Sequence, residues 1–288
     1  MMYLSHLIIY LSIYAIAVSG LNLITGYCGL FSLAHAAFFA IGAYAYSLAS
    51  LHFQLGAPLS FLIAVAIATG FSLFLSVPSR RAGGDFFVLV SLVVQMLTMS
   101  AFQNAAFSGG MLGIASVPAP SFGPWVLGAE QSIAVVYSSI AVIILCLLKV
   151  LTSSPWSRIL VCMREDELAV RSLGKSTWKA RAEAIAIGCG LAGGAGAMFV
   201  AYTSFINPEA ASLEHSMLFL SMLLVGGSGN LRGPLVGVLF TLLLPEALRL
   251  VEVPSVLISN VRLIIYGLLL IVFMHLRPEG LAGRYRLE

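Results

Sequence analysis

The sequence predicts an all-α protein, a bundle of helices that crosses a membrane several times. Of its 288 residues, 60% are hydrophobic and only 9% are charged, and the mean hydropathy is +1.00. Apolar runs of roughly 20 residues, the length that spans a bilayer as a helix, recur along the chain. The charged residues are gathered into a few connections, which indicates how the helices are oriented.

Nine apolar segments qualify as membrane spans, within a range of 8 to 10. They are residues 4–25, 31–51, 58–78, 86–106, 131–151, 184–206, 214–226, 232–250 and 258–276. The seventh segment is short, which favours a re-entrant or broken helix whose free backbone groups are covered by protein. We therefore expect one transmembrane domain over residues 1–288, with the N-terminus outside.

Basic residues lie on one set of alternating connections. Of the 15 Lys and Arg residues, 13 fall at positions 80–81, 149–181 and 232 and from 277 onward. Only Arg249 and Arg262 would lie on the opposite side. The positive-inside rule then makes the loop 153–183 and the tail 277–288 cytoplasmic. Residues 1–79 contain no charged side chain, so the first segment is expected to be a retained span and not a cleaved signal peptide.

The sequence contains no motif typical of a disulfide, a metal site, a nucleotide site or a catalytic site. The four cysteines, Cys28, Cys146, Cys162 and Cys189, form no CxxC pair, so neither a disulfide nor a metal site is predicted. The chain has no P-loop and no nucleophile with a matching base, so we expect a protein that is not an enzyme. The formal charge of +3 gives no reason to expect a nucleic-acid partner.

Residues 188–193 fit the dinucleotide-binding pattern GxGxxG but lie inside an apolar segment. That fingerprint requires a strand before it and a helix beginning at it, so we reject the nucleotide interpretation. Gly190 and Gly194 have the small-xxx-small spacing that lets helices approach closely, with Gly196 nearby. The glycines therefore predict helix packing.

The chain has 15 basic and 12 acidic residues, and ten of these charged residues lie in the loop 153–183. Residues 164–174 predict one short helix, with acids in its first turn, Glu167 four residues before Arg171, and Gly174 as its stop. Its apolar residues would share one face. This pattern fits either a helix that docks on another protein or a solvated connection with a helical turn. The candidate docking residues are Arg164, Glu165, Asp166, Glu167, Leu168, Ala169, Arg171, Leu173 and Gly174.

Polar residues inside the spans are the candidates for a solute path, because uncompensated polar groups are costly in a membrane. The set is Asn22, Ser32, His35, Ser91, Gln95, Asn104 and Ser221. We expect His35 to hydrogen-bond a neighbouring helix. Gln95 and Asn104 fit solute contact and helix association equally well. The lack of an acidic residue in the middle of any span counts against a proton-driven carrier.

A glycine-rich turn at residues 226–234 precedes the eighth span and contains Arg232, so a structural hairpin and a cytoplasmic gate are both open. Residues 23–29 echo residues 223–229, as an internal repeat would, although chance matches are also expected in a glycine-rich membrane chain. The structural or gate candidates are Gly26, Gly29, Gly226, Gly227, Gly229, Gly233 and Pro234.

Several of these motifs, taken in order, resemble the permease subunits of branched-chain amino-acid ABC importers, specifically their LivM-like branch. The matching segments are residues 20–39, 84–87, 108–110, 154–158, 164–167 with 173–174, 226–234 and 244–249. Each is weak alone, but their order through most of the chain is specific.

The resemblance implies an ABC importer permease fold in a bacterial inner membrane. It implies a second homologous permease, two cytoplasmic ATPases that bind ATP and Mg²⁺, and a soluble solute-binding protein as partners, with no cofactor on this chain. Residues 165–174 would be the coupling helix. The solute would be a branched-chain or related amino acid, urea, a short amide or an aromatic carboxylate. An ion-coupled carrier that acts alone and a scaffold or enzyme subunit are the alternatives.

Overall fold

The computed structural model describes residues 2–80, 84–122, 125–126 and 130–249. The ninth predicted span, residues 258–276, and the predicted tail, residues 277–288, lie outside the described residues. The described chain is a mostly helical bundle, as predicted. Its α-helices are α1 Met2–Asn22, α2 His35–His52, α3 Ala57–Phe71, α4 Leu73–Ser76, α5 Gly84–Asn104, α6 Glu130–Ser153, α7 Pro155–Glu165, α8 Glu167–Ser172, α9 Thr177–Thr203, α10 Leu213–Gly226 and α11 Arg232–Arg249.

Short irregular elements interrupt this bundle. A π-helical turn, Leu23–Tyr27, follows α1, and 3₁₀ turns lie at Pro78–Arg80, Ala106–Ser108, Gly110–Leu112 and Pro208–Ala211. Two small antiparallel sheets pair β1 (Ile114–Ala115) with β4 (Phe205–Ile206) and β2 (Ser121–Phe122) with β3 (Trp125–Val126).

Five described segments are both long and apolar enough to cross a membrane. They are Tyr3–Tyr27, Ala57–Ser76, Phe86–Asn104, Glu130–Ser153 and Thr177–Thr203. The helix α2 has 18 residues, is not among these five segments, and is buried along most of its length. The helix α10 is a shorter apolar helix, as the seventh predicted segment indicated. The chain is thus a multi-pass membrane protein, while the number of nine spans stays a prediction.

The core of the bundle is built around α9, which packs against α1, α2 and α3. Close approach depends on glycines: a Cβ added to Gly188 would lie 2.7 Å from the Gly20 carbonyl oxygen of α1, and one added to Gly42 of α2 would overlap the backbone of Gly193. Gly190 and Gly194 face side chains of α3, where an added Cβ would lie 2.6 Å from Thr69 Oγ1 and 3.3 Å from a Phe61 ring carbon. The packing interpretation of the GxGxxG pattern is therefore confirmed.

The helices α3, α5 and α6 leave broad apolar faces uncovered. Leu62 on α3, Leu97 on α5 and Leu147 on α6 are each more than 60% exposed. Because all three helices belong to the candidate spans, these faces are the surfaces that lipid or another membrane protein would cover.

The basic loops meet at one end of the bundle. The Arg181 guanidinium of α9 donates to the Ser79 carbonyl oxygen at 2.9 Å, which joins the segment after α8 to the connection after α4. The pairing of Ile114 with Ile206 lies at the opposite ends of α5 and α9. The described basic connections therefore share one end of the bundle, and the cytoplasmic orientation of that end stays a prediction.

Two helix boundaries in the polar loop differ from the prediction. Residues 164–174 are not one helix: α7 ends at Glu165, Asp166 is extended with φ −151°, and α8 begins at Glu167. The helix α9 begins at Thr177, seven residues before the predicted span at 184. Hydropathy predicts only the apolar part of a helix. The first residues of α9 include charged ones, so the prediction began the helix too late.

Candidate functional site

Gln95 of α5 is the centre of a buried polar cluster. Its Oε1 accepts hydrogen bonds from the Ala37 backbone N–H at 2.9 Å and from the Ser216 hydroxyl at 3.2 Å. Its Nε2 donates to the carbonyl oxygens of Ser212, at 2.9 Å, and of Ala211. One side chain thereby joins α5 to the first turns of α2 and α10. We call these residues the Gln95 cluster.

The cluster explains how a short helix can begin inside the bundle. Gln95 is near the middle of α5, so the 3₁₀ turn Pro208–Ala211 and the start of α10 lie at that depth. At 1.5 Å per residue, the 14 residues of α10 extend only about 21 Å. Irregular backbone at membrane depth must be satisfied by protein, and the Gln95 amide does this for two carbonyl groups.

His35 and Ser91 hold the chain that leads into α2. The His35 Nε2 lies 2.7 Å from the Ala17 carbonyl oxygen of α1, so Nε2 carries the donated proton. The Ser91 hydroxyl accepts from the Leu33 N–H at 2.9 Å. The predicted hydrogen bond from His35 to a neighbouring helix is confirmed, and its Nδ1 has no partner among the described residues.

The structure brings some of the seven path candidates together and separates others. Ser32, His35, Ser91 and Gln95 are all buried around the start of α2. Ser221 is also buried but bonds within α10, to the Leu218 carbonyl oxygen. Asn104 is exposed at the end of α5 and donates to Ser100 one turn earlier, so its hydrogen bonds to described residues stay within its own helix. Asn22 belongs to a different cluster.

Asn22, the last residue of α1, contacts the glycine turn that precedes α11. Its Oδ1 accepts from the Gly229 N–H at 3.0 Å, and its Nδ2 donates to the Asn230 carbonyl oxygen at 2.8 Å. The positive φ values of Gly227 (101°) and Gly229 (82°) require glycine in this turn. The two glycine-rich segments that echo each other in sequence therefore meet in space. We call Asn22, Gly26, Gly229 and Asn230 the double-turn cluster.

The segment from α7 to α8 has a buried inner side and an exposed outer side. The Asp166 carboxylate caps α8, accepting from the N–H groups of Leu168 and Ala169 at 2.9 and 3.0 Å. The Val170 side chain is buried, whereas Leu168 and Leu173 are 75% and 78% exposed. Gly174, at φ 73°, ends the segment as predicted.

Polar contacts between side chains hold this segment against α9. The Glu167 carboxylate bridges Arg171, at 2.7 Å, and the buried Arg181, at 2.9 Å. The Trp156 indole of α7 donates to the Glu183 carboxylate at 2.7 Å. The sequence indicated the Glu167–Arg171 pair through its i,i+4 spacing. The Arg181 contact, 14 residues away, left no such local signal.

The pKa of the Glu167 carboxyl reflects these contacts. Partial burial alone would raise this pKa, but the Arg181 charge and hydrogen bonds from Thr177, Arg181 and Arg171 lower it below its ordinary value. A depressed folded-state pKa stabilises the fold above the unfolded-state pKa, which is about 4.3 for Glu, and this stabilisation is lost as pH falls through the folded-state value.

We therefore expect the difference in melting temperature between wild type and Glu167→Gln to be constant from about pH 7 down to about pH 5 and to shrink at lower pH. Thermal unfolding of the two detergent-solubilised proteins across this range measures it. A difference that stays constant in acid would show that Glu167 ionisation does not contribute to folding.

One cavity of about 420 Å³ lies between α2, α3 and α5. Its lining is almost entirely apolar, with Phe71, Phe74 and Leu97 among its residues. Such a lining suits a hydrocarbon chain and offers no recognition of a polar solute. Among the described residues, buried polar side chains lie instead in the Gln95 cluster and beside it, around the start of α2.

A multi-pass bundle in which a half-length helix begins at buried polar groups has the architecture of a membrane transport protein. A family profile described as "Branched-chain amino acid transport system / permease component" matches residues 3–274. The chain belongs to this family of permeases, and the predicted resemblance is confirmed.

Three relatives are similar over much of the chain. The high-affinity branched-chain amino acid transport system permease proteins LivM of Escherichia coli and Salmonella typhimurium are 29% and 30% identical, each over 93% of this chain and 67% of the relative. A probable branched-chain amino acid transport permease protein LivM of Methanocaldococcus jannaschii is 25% identical over 71% of this chain and 61% of the relative. No solved structure is a significant match.

Proposed function

We propose that this chain is a transmembrane subunit of an ATP-driven importer. It acts with a second, homologous permease, two cytoplasmic ABC ATPases and a soluble solute-binding protein, in the cytoplasmic membrane of a bacterium. ATP and Mg²⁺ are bound by the ATPases. Membership of the permease family and the similarity to LivM proteins support this assignment.

The observation that carries the proposal is the outer side of α8. Two large apolar side chains, Leu168 and Leu173, are exposed at the basic end of the bundle, where water and not lipid is expected. The helix α8, which carries Leu168 and is followed directly by Leu173, is held to α9 by the Glu167–Arg181 ion pair. An exposed apolar face on a firmly attached helix suits a groove in a partner and can transmit that partner's movement.

The proposed solute is a small polar molecule, in the first place a branched-chain amino acid, since transport of these is what the relatives' names state. Urea, short amides and aromatic carboxylates are the other candidates. We place its path beside Ser32, His35, Ser91 and Gln95. All hydrogen bonds that the Gln95 amide can readily make are occupied by the protein, so a solute reaches it only when α10 separates from α5. A two-state, alternating-access cycle provides such a separation.

The direct test is to purify the chain with its co-expressed neighbours and to measure ATPase activity with binding proteins loaded with leucine, urea or an aromatic acid. We expect one loaded binding protein to stimulate hydrolysis and solute uptake into liposomes. Uptake that continues without the ATPases would contradict the proposal and indicate an ion-coupled carrier.

A further inference from the structure

A chain of direct contacts leads into the bundle from the segment formed by α7 and α8, which we call the docking segment. It begins at Arg164, in the last turn of α7, whose guanidinium Nη1 donates to the Gly26 carbonyl oxygen at 2.6 Å. Gly26 lies in the π-helical turn after α1. Gly29 has φ 73°, and a Cβ there would lie 2.7 Å from Arg164 Cγ, so the arginine side chain occupies the space that this glycine leaves. Arg164 therefore lies inward against the bundle.

The second link is Asn22, whose amide is completely buried. Both ends of that amide bond the turn before α11, through Gly229 and Asn230. A Cβ on Gly26 would overlap Asn22 Oδ1 and lie 2.7 Å from the Gly229 nitrogen. The π-helical turn, the Asn22 amide and the second turn are thus in direct contact, and one cannot shift without displacing the others.

The third link is the helix pair α10 and α11. A Cβ on Gly226 would overlap the Gly233 carbonyl oxygen and lie 2.7 Å from the Gly237 nitrogen, so the two helices are packed backbone to backbone beside the turn. The Asn230 side chain accepts from the Gly233 N–H at 2.7 Å and joins the turn to α11. At its other end, α10 contacts Gln95 through Ser216. Movement of the turn therefore reaches the Gln95 cluster.

We infer that Arg164 and Asn22 are positioning residues that act in series, carrying displacement of the docking segment to the double-turn cluster and through α10 to the Gln95 cluster. This inference rests on the proposed function. It assigns Arg164 to a contact inside this chain and not to the ATPase surface, and Asn22 to helix coupling and not to the solute path. Continuity of contacts is necessary for such a role, and altered coupling in variants is the direct criterion.

The experiment uses complete complexes in liposomes, with radiolabelled leucine and the binding protein, and measures leucine imported per ATP hydrolysed. Arg164→Met and Asn22→Leu are each expected to lower this ratio about tenfold, because each removes buried or charge-assisted hydrogen bonds. The double variant is expected to be no worse than either single variant, since the two residues lie on one route. Arg158→Met removes an exposed arginine from the same helix and is expected to keep the wild-type ratio.

A second readout separates positioning from simple structural support. Ser228, buried in the turn, is replaced by Cys in a background with the exposed Cys146 and Cys162 changed to Ser. We expect its labelling rate by an impermeant maleimide to differ between ATP-bound and nucleotide-free complexes, and Arg164→Met to remove that difference. Labelling that becomes faster equally in both states would overturn the inference in favour of structural support.

The experiment distinguishes failure of the proposed function from failure of the inference alone. Import of leucine by wild-type complexes without ATP would contradict the proposed function, and the inference with it. Wild-type complexes that couple normally, together with equally coupled Arg164→Met complexes, would overturn the inference alone. Arg164 is only partly buried, so its Met variant decides the question even where Asn22→Leu fails to assemble.

Discussion

Complexes that carry Leu168→Asp are expected to lose at least about nine-tenths of their solute-stimulated ATP hydrolysis while this chain remains folded. Leu168 is 75% exposed on α8, so the substitution removes little packing within the chain. In a partner's groove, however, a carboxylate would replace a buried apolar anchor. Central anchors at interfaces contribute roughly 2 kcal/mol or more, which corresponds to more than tenfold in binding.

A matched control for this prediction is Lys179→Ala, which changes the net charge by the same amount at an exposed position on α9. We expect that variant to retain ATPase stimulation. Co-purification of the ATPases and thermal stability should be measured on both variants. Full stimulation in Leu168→Asp complexes would show that the exposed face of α8 is not the docking surface.

Glu167→Arg is not an equivalent test, although the sequence predicts Glu167 and Leu168 on one helix. The structure separates them. Glu167 is the anion between Arg171 and the buried Arg181, so its replacement by arginine places three positive charges together. The Glu167 side chain is partly exposed but Arg181 is buried, so the reversal of charge leaves that arginine without its carboxylate and is expected to destabilise the fold. Loss of coupling in that variant would therefore reflect misfolding as much as docking.

Local patterns were enough to predict much of the fold. The length and hydropathy of the apolar runs located the described spans, because these depend on neighbouring residues only. The break at Asp166 was missed although its cause is local. An aspartate accepts from the N–H groups two and three residues ahead, and the sequence interpretation counted it as a first-turn acid when it is the residue that caps the helix.

The candidate site depended on contacts that no local pattern contains. Asn22 and Gly229 are 207 positions apart, and Gln95 and Ser212 are 117 apart. The residue types identified Asn22 and Gln95 as polar groups in need of partners, but only the fold supplies those partners. The echo between residues 23–29 and 223–229 was the one sequence signal that joined the two ends of the double-turn cluster, and by itself it did not distinguish a repeat from chance.

Replacement of Gln95 by leucine is expected to have the largest effect on stability in this chain. The two side chains have similar volumes, so packing is retained, but the Ala37 N–H and the Ala211 carbonyl group each lose a buried partner. The Ser212 carbonyl group loses one of two hydrogen bonds and keeps the one from the Ser216 N–H. An unsatisfied buried polar group costs about 1–3 kcal/mol, so the sum is several kcal/mol. We expect a strongly lowered melting temperature and yield of the solubilised protein. Asn104→Leu on the same helix removes an exposed amide whose hydrogen bonds to the described part of the chain are made within α5, and should have a small effect.

The variant Gln95→Glu tests the same hydrogen bonds by a change of charge. A protonated carboxyl keeps the acceptor for Ala37 and supplies one donor, whereas an ionised one places a buried charge opposite two carbonyl oxygens. Burying a charge without a compensating partner is costly, so we expect Gln95→Glu to be less stable than wild type at neutral pH. Melting curves in which Gln95→Glu is as stable as wild type at neutral pH, or Gln95→Leu unfolds no earlier than Asn104→Leu, would show that α10 begins where it does without this amide.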